Sequence, residues 1–561
     1  MRAVQRWPLV GAFAALLVGS LLLDRVPSSL PPQLQQVDAA ATRAAIESPA
    51  SLTTSWYCAI GSSERGGYGS HTINVSNVAD EAATATVSVI TDHGPGPKIR
   101  LEVGPYATES LDLSTVDSSV NAAAVIEVVG GNGVVGHDIE TLYGTTSGPC
   151  ATTVNGTWYF ASGSTRRDSD QYVALLNPFG EDVVLDVTFR TATRERRPED
   201  LSSLVVPGRT VRVFNVADYV SIEPVVATTV TALQGRVVAE QLQVANGELG
   251  PEGAAVVLGT PAPSLTWALP AGRVSTGSDH QLVIHNPGLE QAELELFFDL
   301  SSTDRRAAYG LNPIDLSVQP GRFESLDVAD LIGALEIPLP LEFGLRIQSA
   351  NDVPVVVSRS QLHPLVDNTL VGAEDSGATV EVAGDAAAAS GGEDADDAVV
   401  TIDPSTIERR DPLGGNLVRQ STEDLDDVSV DDLVPDLAAA VLDDLAQPTA
   451  ISGVAVSNGS SAPSHSWVVP FTRFEPDGGT VVAITATEGD ALVELRGMVD
   501  GRLLEPERVA IAEQTRRVVP VVLPVLRTAL LVTSDSPISV EVQTVTDGAL
   551  TVAGAVPVLT P

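Results

Sequence analysis

Four similar blocks, each headed by a tryptophan, repeat along the chain and constrain its fold more than any other feature of the sequence. The blocks open as SWYCAIGSS at Trp56, TWYFASGST at Trp158, TWALPAGRV at Trp267 and SWVVPFTRF at Trp467. Self-similarity at a nearly fixed period indicates tandem copies of one structural unit. Trp7, the remaining tryptophan, lies in the N-terminal segment outside the blocks.

Within each block, turn residues separate short stretches of alternating apolar and polar residues. Asn77, Asn177 and Asn286 mark a turn at nearly the same distance after the heading tryptophan, the last two as Asn-Pro. A strand pattern of period two follows, as in VVLDVTF at 183–189. Several such strands in a unit of about 100 residues are typical of two packed antiparallel sheets. The sequence therefore predicts an all-β protein built of tandem immunoglobulin-like β-sandwich domains.

The heading tryptophans allow two interpretations. In the first, each one anchors the core or an edge of its sandwich, where a large aromatic side chain contributes most. In the second, they are exposed and stack on sugars. Trp56, Trp158 and Trp267 are then the residues expected to contact a ligand.

The N-terminus carries the pattern of an export signal. Arg2 and Arg6 precede the apolar run PLVGAFAALLVGSLLL at 8–23. A helix of that length reaches only ~24 Å, slightly short of the ~30 Å hydrocarbon core, so a retained anchor and a cleaved signal both stay open. No small-residue cleavage motif closes the run, which favours a transmembrane signal anchor. Its positive N-terminal flank predicts that residues 24 onward lie outside the cell.

The two cysteines, Cys58 and Cys150, fit an extracellular location. An even pair in an oxidising compartment is most simply a disulfide. Closing a loop of that length would stabilise the fold by roughly 4–5 kcal/mol. Neither cysteine has a CxxC or papain-like context, so a catalytic thiol has no support in the sequence.

The chain is strongly acidic, and much of the charge lies in one segment. Its 73 Asp and Glu against 32 Lys and Arg give a net charge of −41, which excludes nucleic-acid phosphates as a partner. Residues 373–450 contain runs such as GGEDADDA and EDLDDVSVDD. This composition predicts a disordered acidic linker, extended by self-repulsion, that separates the last sandwich from the first three. Calcium binding by these carboxylates stays a minor alternative, because the glycine turn and terminal Glu of an EF-hand loop are missing.

These features divide the chain into eight segments. They are a cytoplasmic n-region at 1–7, a signal anchor at 8–23, a linker at 24–50, β-sandwich repeats at 51–150, 151–260 and 261–372, the acidic linker at 373–450 and a fourth β-sandwich repeat at 451–561.

Residue arrangements that catalysis needs are missing from the sequence. It has no GxSxG, HExxH or GxxxxGK[ST] motif and no GxGxxG that opens a helix. We expect the scattered histidines to lie on the surface: His71, His93, His137, His280, His285, His363 and His465. His280 and His285 are closest in sequence, but their odd spacing on a strand points them to opposite faces, which suits zinc poorly. We therefore expect no catalytic residue, metal or cofactor.

The best-preserved block resembles a known group of exported proteins. TWYFASGST, the LLNP turn, the VPG turn and the closing PVVA strand resemble the WYFAEG-headed repeats of actinobacterial exported proteins, which are grouped as a domain of unknown function. The resemblance spans residues 51–372 and reaches the fourth block only through Trp467 and its strands; Ser162 stands where the family often has Glu. It implies a cell-envelope location in an actinobacterium and a tandem β architecture, and it transfers no catalytic residue.

These features lead to an expected function. We expect a non-enzymatic, membrane-anchored extracellular protein of the cell envelope that binds or scaffolds a surface glycan or an envelope protein. A neutral glycan or a basic protein suits the acidic chain better than an anionic polymer does. The alternatives are a secreted adhesin released by signal cleavage, and an accessory protein or enzyme of envelope polysaccharide metabolism.

Overall fold

A computed structural model shows the described residues as an almost entirely antiparallel β protein, which confirms the all-β prediction and is consistent with β-sandwich domains. The described residues are 53–129, 133–275, 278–301, 311–335, 337, 339, 341–363, 453–473, 480–499, 501–521, 523, 527–546 and 549–558. The predicted n-region, signal anchor, N-terminal linker and acidic linker lie outside them. No helix within these ranges is long and apolar enough to span a membrane.

The first sandwich pairs two four-stranded sheets. Its strands are β1 (Thr53–Cys58), β2 (Ser70–Asn77), β3 (Ala83–Thr91), β4 (Gly94–Val103), β5 (Thr108–Asp112), β6 (Ala122–Val129), β7 (Gly133–Thr141) and β8 (Gly144–Pro149). One sheet has the order β1-β6-β3-β4 and the other β5-β2-β7-β8. In an immunoglobulin constant-type domain the first two strands share a sheet. Here β1 and β2 lie in different sheets, so the strand order gives no support to the immunoglobulin-like part of the prediction.

The second sandwich repeats this plan. Its strands are β9 (Thr157–Phe160), β10 (Ser169–Asn177), β11 (Val183–Arg190), β12 (Glu195–Arg196), β13 (Leu204–Val206), β14 (Thr210–Asn215), β15 (Ala227–Gln234), β16 (Val238–Asn246) and β17 (Glu252–Leu258). The sheets run β12-β11-β15-β9, with β13 also on β11, and β14-β10-β16-β17. Single 3-10 turns occur at Leu113–Thr115, Glu199–Leu201 and Val216–Asp218.

The third sandwich contains the α-helix of the described residues, α1 (Val328–Ala334). Its strands are β18 (Thr266–Val274), β19 (Asp279–Asn286), β20 (Ala292–Asp299), β21 (Ile314–Val318), β22 (Arg322–Asp327), β23 (Leu341–Ser349), β24 (Val356–His363) and β25 (Gly453–Asn458). The sheets run β18-β23-β20-β21 and β22-β19-β24-β25. The Asp327 carboxylate accepts from the backbone amides of Ala329 and Asp330 and so begins the helix.

The fourth sandwich is built around one long strand that serves both sheets. Its strands are β26 (Ser464–Arg473), β27 (Thr480–Ala486), β28 (Ala491–Val499), β29 (Arg502–Leu503), β30 (Glu507–Ile511), β31 (Arg516–Pro520), β32 (Arg527–Thr546), β33 (Ala549–Gly554) and β34 (Val556–Pro557). The first half of β32 pairs with β26 and β28, and its second half pairs with β27 and β33.

Alternating burial explains why these sequences form sandwiches. Along β11 every second side chain, from Val183 to Phe189, is buried and the intervening ones are partly exposed. The predicted turn asparagines stabilise the turns from inside: buried Asn177 accepts from the Phe179 amide and donates to the carbonyls of Glu181 and Val206. Asn77 and Asn286 make the corresponding bonds in the first and third sandwiches.

The last strand of each sandwich leads back to that sandwich's own first strand. After β8, Ala151 pairs with Tyr57; after β17, Thr260 pairs with Tyr159. After β25, Ser460 pairs with Ala268 of the third sandwich, not with the fourth. The strand Gly453–Asn458, which the sequence analysis assigned to repeat 4, therefore completes the third sandwich, and the boundary lies later than residue 451.

The four sandwiches form a closed ring within the compact unit that contains all described residues. Neighbouring last strands β8, β17, β25 and β33 pack against one another in that order and back to β8. The ring closes where Val468, Met498, Ala529 and Val556 of the fourth sandwich join the core of the first. The prediction that the acidic segment holds the last sandwich apart is therefore wrong. The described residues on either side of that segment, His363 and Gly453, pair with each other. The length of the segment therefore does not separate the domains.

Candidate functional site

The heading tryptophans are core residues in all four sandwiches. Trp56 and Trp158 are 0% exposed and Trp267 is 2% exposed. The indole Nε1 of Trp158 donates to the carbonyl of Val237 at 2.8 Å, and that of Trp267 donates to the carbonyl of Val355 at 2.9 Å. Stacking on a sugar needs an exposed ring face, which none of the three has, so the stacking interpretation is wrong and the core interpretation holds. Trp267 nevertheless lies in the wall of the cleft described below.

The predicted disulfide between Cys58 and Cys150 is present. It joins the end of β1 to the residue that follows β8, so it ties the first and last strands of the first sandwich together. Both cysteines are fully buried and belong to the core cluster that contains Trp56. No cysteine is free.

The surface prediction for the histidines is confirmed for His93 and His465, which are exposed. His71, His137, His280 and His285 are buried, so the surface prediction is wrong for these four. His71 and His137 lie on the neighbouring strands β2 and β7, where the Nδ1 atom of His137 is 3.0 Å from the Nε2 atom of His71. Their distance in the sequence gave no signal of this contact, because only the strand pairing brings them together.

A carboxylate from the second sandwich completes this buried cluster. Glu240, on β16, accepts through Oε2 from the backbone amides of Ala59 at 2.6 Å and Ile60 at 2.9 Å. Its Oε1 atom has no hydrogen-bond partner and lies 3.8 Å from the Nε2 atom of His137. The Nδ1 atom of His71 lies 2.8 Å from the Ala122 carbonyl and donates to it. His71 Nε2 therefore accepts from His137 Nδ1. This leaves His137 Nε2 as an acceptor that faces Glu240.

Burial keeps this cluster uncharged. Desolvation raises the pKa of Glu240 to about 8, against the opposing effect of the two backbone amides. Desolvation lowers the pKa of His71 to about 4, and desolvation with the nearby His71 lowers the pKa of His137 well below its ordinary value. The contact is therefore better described as neutral His137 facing a protonated Glu240 than as an ion pair. The distance of 3.8 Å between His137 Nε2 and Glu240 Oε1 also argues against an ion pair.

The same cluster does not suit the coordination of a metal ion. Ligand atoms of Cys58, His71 and His137 lie within 4.8 Å of one another. The Cys58 sulfur is committed to the disulfide, and both nitrogens of His71 face hydrogen-bond partners. The residues present do not fit a zinc site, which needs three or four free ligands.

A buried ion pair, between Arg359 and Glu541, joins the third and fourth sandwiches. The carboxylate of Glu541 accepts from the Ala271 amide at 2.9 Å, from Arg359 Nη2 at 2.8 Å and from the Ser457 hydroxyl at 3.1 Å. The corresponding contact between the second and third sandwiches is neutral, a 2.7 Å hydrogen bond between the hydroxyls of Ser162 and Ser358. These groups fix one sandwich against the next and are closed to solvent.

A cleft with a volume of about 320 Å³ lies between the third and fourth sandwiches. Phe297 and Arg346 line it from the third sandwich, and Gln514 and Ser539 line it from the fourth. The Nε atom of Arg346 donates to both oxygens of buried Asp299, at 3.0 and 2.7 Å, and its guanidinium stacks over the Phe297 ring at 4.9 Å. Two smaller cavities, of about 90 and 80 Å³, lie among the last strands and between the second and third sandwiches.

Sequence comparison gives one family match. The model of a family of unknown function, DUF5719, matches residues 137–358, from β7 of the first sandwich to β24 of the third. This match supports a domain of unknown function within the region that showed the resemblance. No curated protein matches the chain.

Comparison with solved structures gives only weak likenesses. A Thermotoga maritima protein, 1070, is 24% identical over 18% of this chain and 81% of its own, with a TM-score of 0.15. The Anabaena sensory rhodopsin transducer is 26% identical over 18% and 96%, with a TM-score of 0.15. An alpha-L-rhamnosidase of Streptomyces avermitilis is 10% identical over 57% and 43%, with a TM-score of 0.13.

Proposed function

We propose that the chain is a non-enzymatic protein of an actinobacterial cell envelope, held in the membrane by residues 8–23, that binds or scaffolds a surface glycan or an envelope protein. The observation that carries this proposal is the buried Cys58–Cys150 disulfide. Disulfides persist in oxidising compartments and are rare in the cytosol. The N-terminal apolar run behind Arg2 and Arg6 supplies the export signal that such a location requires.

Two features support a binding or scaffolding role over an enzymatic one. The described groups with the most strongly shifted pKa values, such as Glu240, His71 and His137, are buried where no substrate reaches them. In the closed ring each sandwich packs against two neighbours, and these contacts restrict its movement. Rigid elements hold a binding surface in one geometry at low entropic cost.

Localisation in the native host tests the anchored, extracellular part of the proposal. Intact cells are treated with protease, fractionated, and labelled with a thiol reagent after denaturation, with and without a reductant. We expect the chain in the membrane fraction, protease-sensitive from outside, with Cys58 and Cys150 labelled only after reduction. Recovery in the cytosol with free thiols would contradict the proposal, and recovery in the medium would favour the secreted adhesin.

Retention by envelope fractions tests the binding part. The full chain, purified in detergent under oxidising conditions, is immobilised and exposed to separated glycan and membrane-protein fractions, with and without calcium. Saturable retention of one fraction supports the proposal and selects its class of partner. Retention of neither fraction contradicts it.

A further inference from the structure

The cleft between the third and fourth sandwiches holds two buried polar atoms that the protein leaves without partners. The Oγ atom of Ser539 has none, although the side chain is only 1% exposed. The Nη2 atom of Arg346 also has none. A buried polar group without a hydrogen bond is unfavourable, because it has lost its contact with water and gained no partner. Two such groups in the lining of one cavity therefore indicate that something other than the protein completes them.

Arg346 is held in place rather than free to move. Its Nε atom is fixed by the two oxygens of Asp299, and its planar face is fixed by the Phe297 ring. Across the cleft, Gln514 occupies the turn position that Tyr106, Arg209 and Gly321 occupy in the other sandwiches, where φ is positive as well. The wall of the cleft that Arg346 forms is thus set in a defined position before a ligand arrives.

The Arg346 arrangement does not belong to the fold that the four sandwiches share. Strand pairing places Arg346 opposite Ala268, the residue after the heading tryptophan. The residues at the corresponding positions of the other sandwiches are Val125, Thr229 and Leu531. Since three sandwiches form without an arginine there, the shared fold does not require one at this position.

The charges around the cleft favour a neutral ligand. Asp299 offsets the charge of Arg346, and Glu488, exposed at the rim, adds a negative charge. With the chain at −41, an anion meets a repulsive field. The lining combines apolar surface from Phe297 with hydrogen-bonding groups. Such a lining matches a molecule that has both C–H faces and hydroxyl groups.

We infer that this cleft is a binding site for a neutral sugar residue, in which Ser539 and the Arg346 guanidinium hydrogen-bond to sugar oxygens. The cleft volume of about 320 Å³ falls at the lower end of the ~300–1,000 Å³ range of small-molecule sites. This inference names a ligand class for the proposed function and rests on its glycan-binding form.

Saturation-transfer NMR on the full chain tests the site. The probes are methyl glycosides of neutral hexoses and pentoses, with acetylated tripeptides as a second panel. We expect saturable binding of at least one glycoside. Ser539→Ala removes a hydroxyl without a partner, so the fold should be unaffected, while glycoside affinity falls about three- to tenfold from the loss of one hydrogen bond.

Two further variants make the test specific. Arg346→Lys keeps a positive charge beside Asp299 but loses the planar stacked group, and we expect weaker glycoside binding. Ser317→Ala, an exposed serine on β21 away from the cleft, is the matched control and should bind as the parent chain does. No glycoside binding, binding unaffected by Ser539→Ala and Arg346→Lys, or binding of tripeptides alone would overturn the inference. Envelope localisation without glycoside binding would refute the inferred binding site but not the proposed envelope location.

Discussion

Replacing Glu240 by glutamine should change how the stability of the protein depends on pH. The Glu240 side chain is fully buried between the first and second sandwiches, and burial raises its pKa from 4.5 to about 8. A carboxyl with a raised folded-state pKa contributes stability below its ordinary pKa and loses it as the pH rises toward the folded value. Glutamine keeps an oxygen for the Ala59 and Ile60 amides and places an NH₂ donor opposite His137.

The size of the effect follows from the two pKa values. The difference between 4.5 and about 8 corresponds to roughly 5 kcal/mol of lost unfolding free energy by pH 9. The histidines act in the other direction. Because burial lowers the pKa of His71 to about 4, its contribution is present above its ordinary pKa of 6.5 and is lost as the pH falls toward 4. The parent chain should therefore be most stable between these limits.

Urea unfolding from pH 5 to pH 9 measures this dependence. Between pH 5 and pH 8 we expect the unfolding free energy of the parent chain to fall relative to that of Glu240→Gln by about 1.4 kcal/mol per pH unit, and above pH 8 the two curves should run parallel. Glu109→Gln, on an exposed position of β5, is the control and should follow the parent. Parallel curves for the parent and Glu240→Gln between pH 5 and pH 8, or a large loss of stability in Glu240→Gln at pH 8, would refute a protonated Glu240.

Three further predictions follow from the fold. Reducing the Cys58–Cys150 disulfide, which closes a sequence separation of 92, should lower the unfolding free energy by roughly 4–5 kcal/mol; an unchanged melting temperature with and without dithiothreitol would contradict this. Trp158→Ala should lower the unfolding free energy by about 3–5 kcal/mol, and Trp158→Phe should lower it by less. Neither variant should change glycoside affinity under conditions in which it stays folded. A folded Trp158→Ala variant that has lost glycoside binding would restore the exposed interpretation. A specific protease site inserted at Gly414 should yield two fragments that co-elute on size exclusion, because β24 and β25 lie on opposite sides of the cut and stay paired; fragments that separate without denaturant would contradict the closed ring.

The repeating elements could be predicted from the sequence because their signals are local. Alternation along 183–189 and the turn at Asn177 each depend on residues close together in the chain, and both appear in the structure as expected. The core position of Trp158 was one of two open interpretations, since its burial depends on the opposite sheet.

The candidate sites could not be predicted because they depend on contacts between distant parts of the chain. His71 and His137 meet only through the pairing of β2 and β7, and Glu240 reaches them from another sandwich. Arg346 and Ser539 share a cleft because the third and fourth sandwiches pack together. The assignment of β25 to the fourth repeat was wrong for a related reason. Residues 364–452 separate β25 from β24 in the sequence, and nothing in the sequence of β25 itself indicates which sheet it joins.

The return of β25 to the third sandwich has a consequence for the order of assembly. Until Gly453–Asn458 emerges from the ribosome or translocon, β24 is an open edge, with a row of backbone donors and acceptors ready to pair with another chain. At ~5–20 residues per second, the intervening segment delays this strand by roughly 5–20 s. The first two sandwiches have no such wait, because a few residues separate their last two strands. Aggregation during biogenesis should therefore begin at the third sandwich. The ring of four sandwiches is complete only after the C-terminal strands have been synthesised.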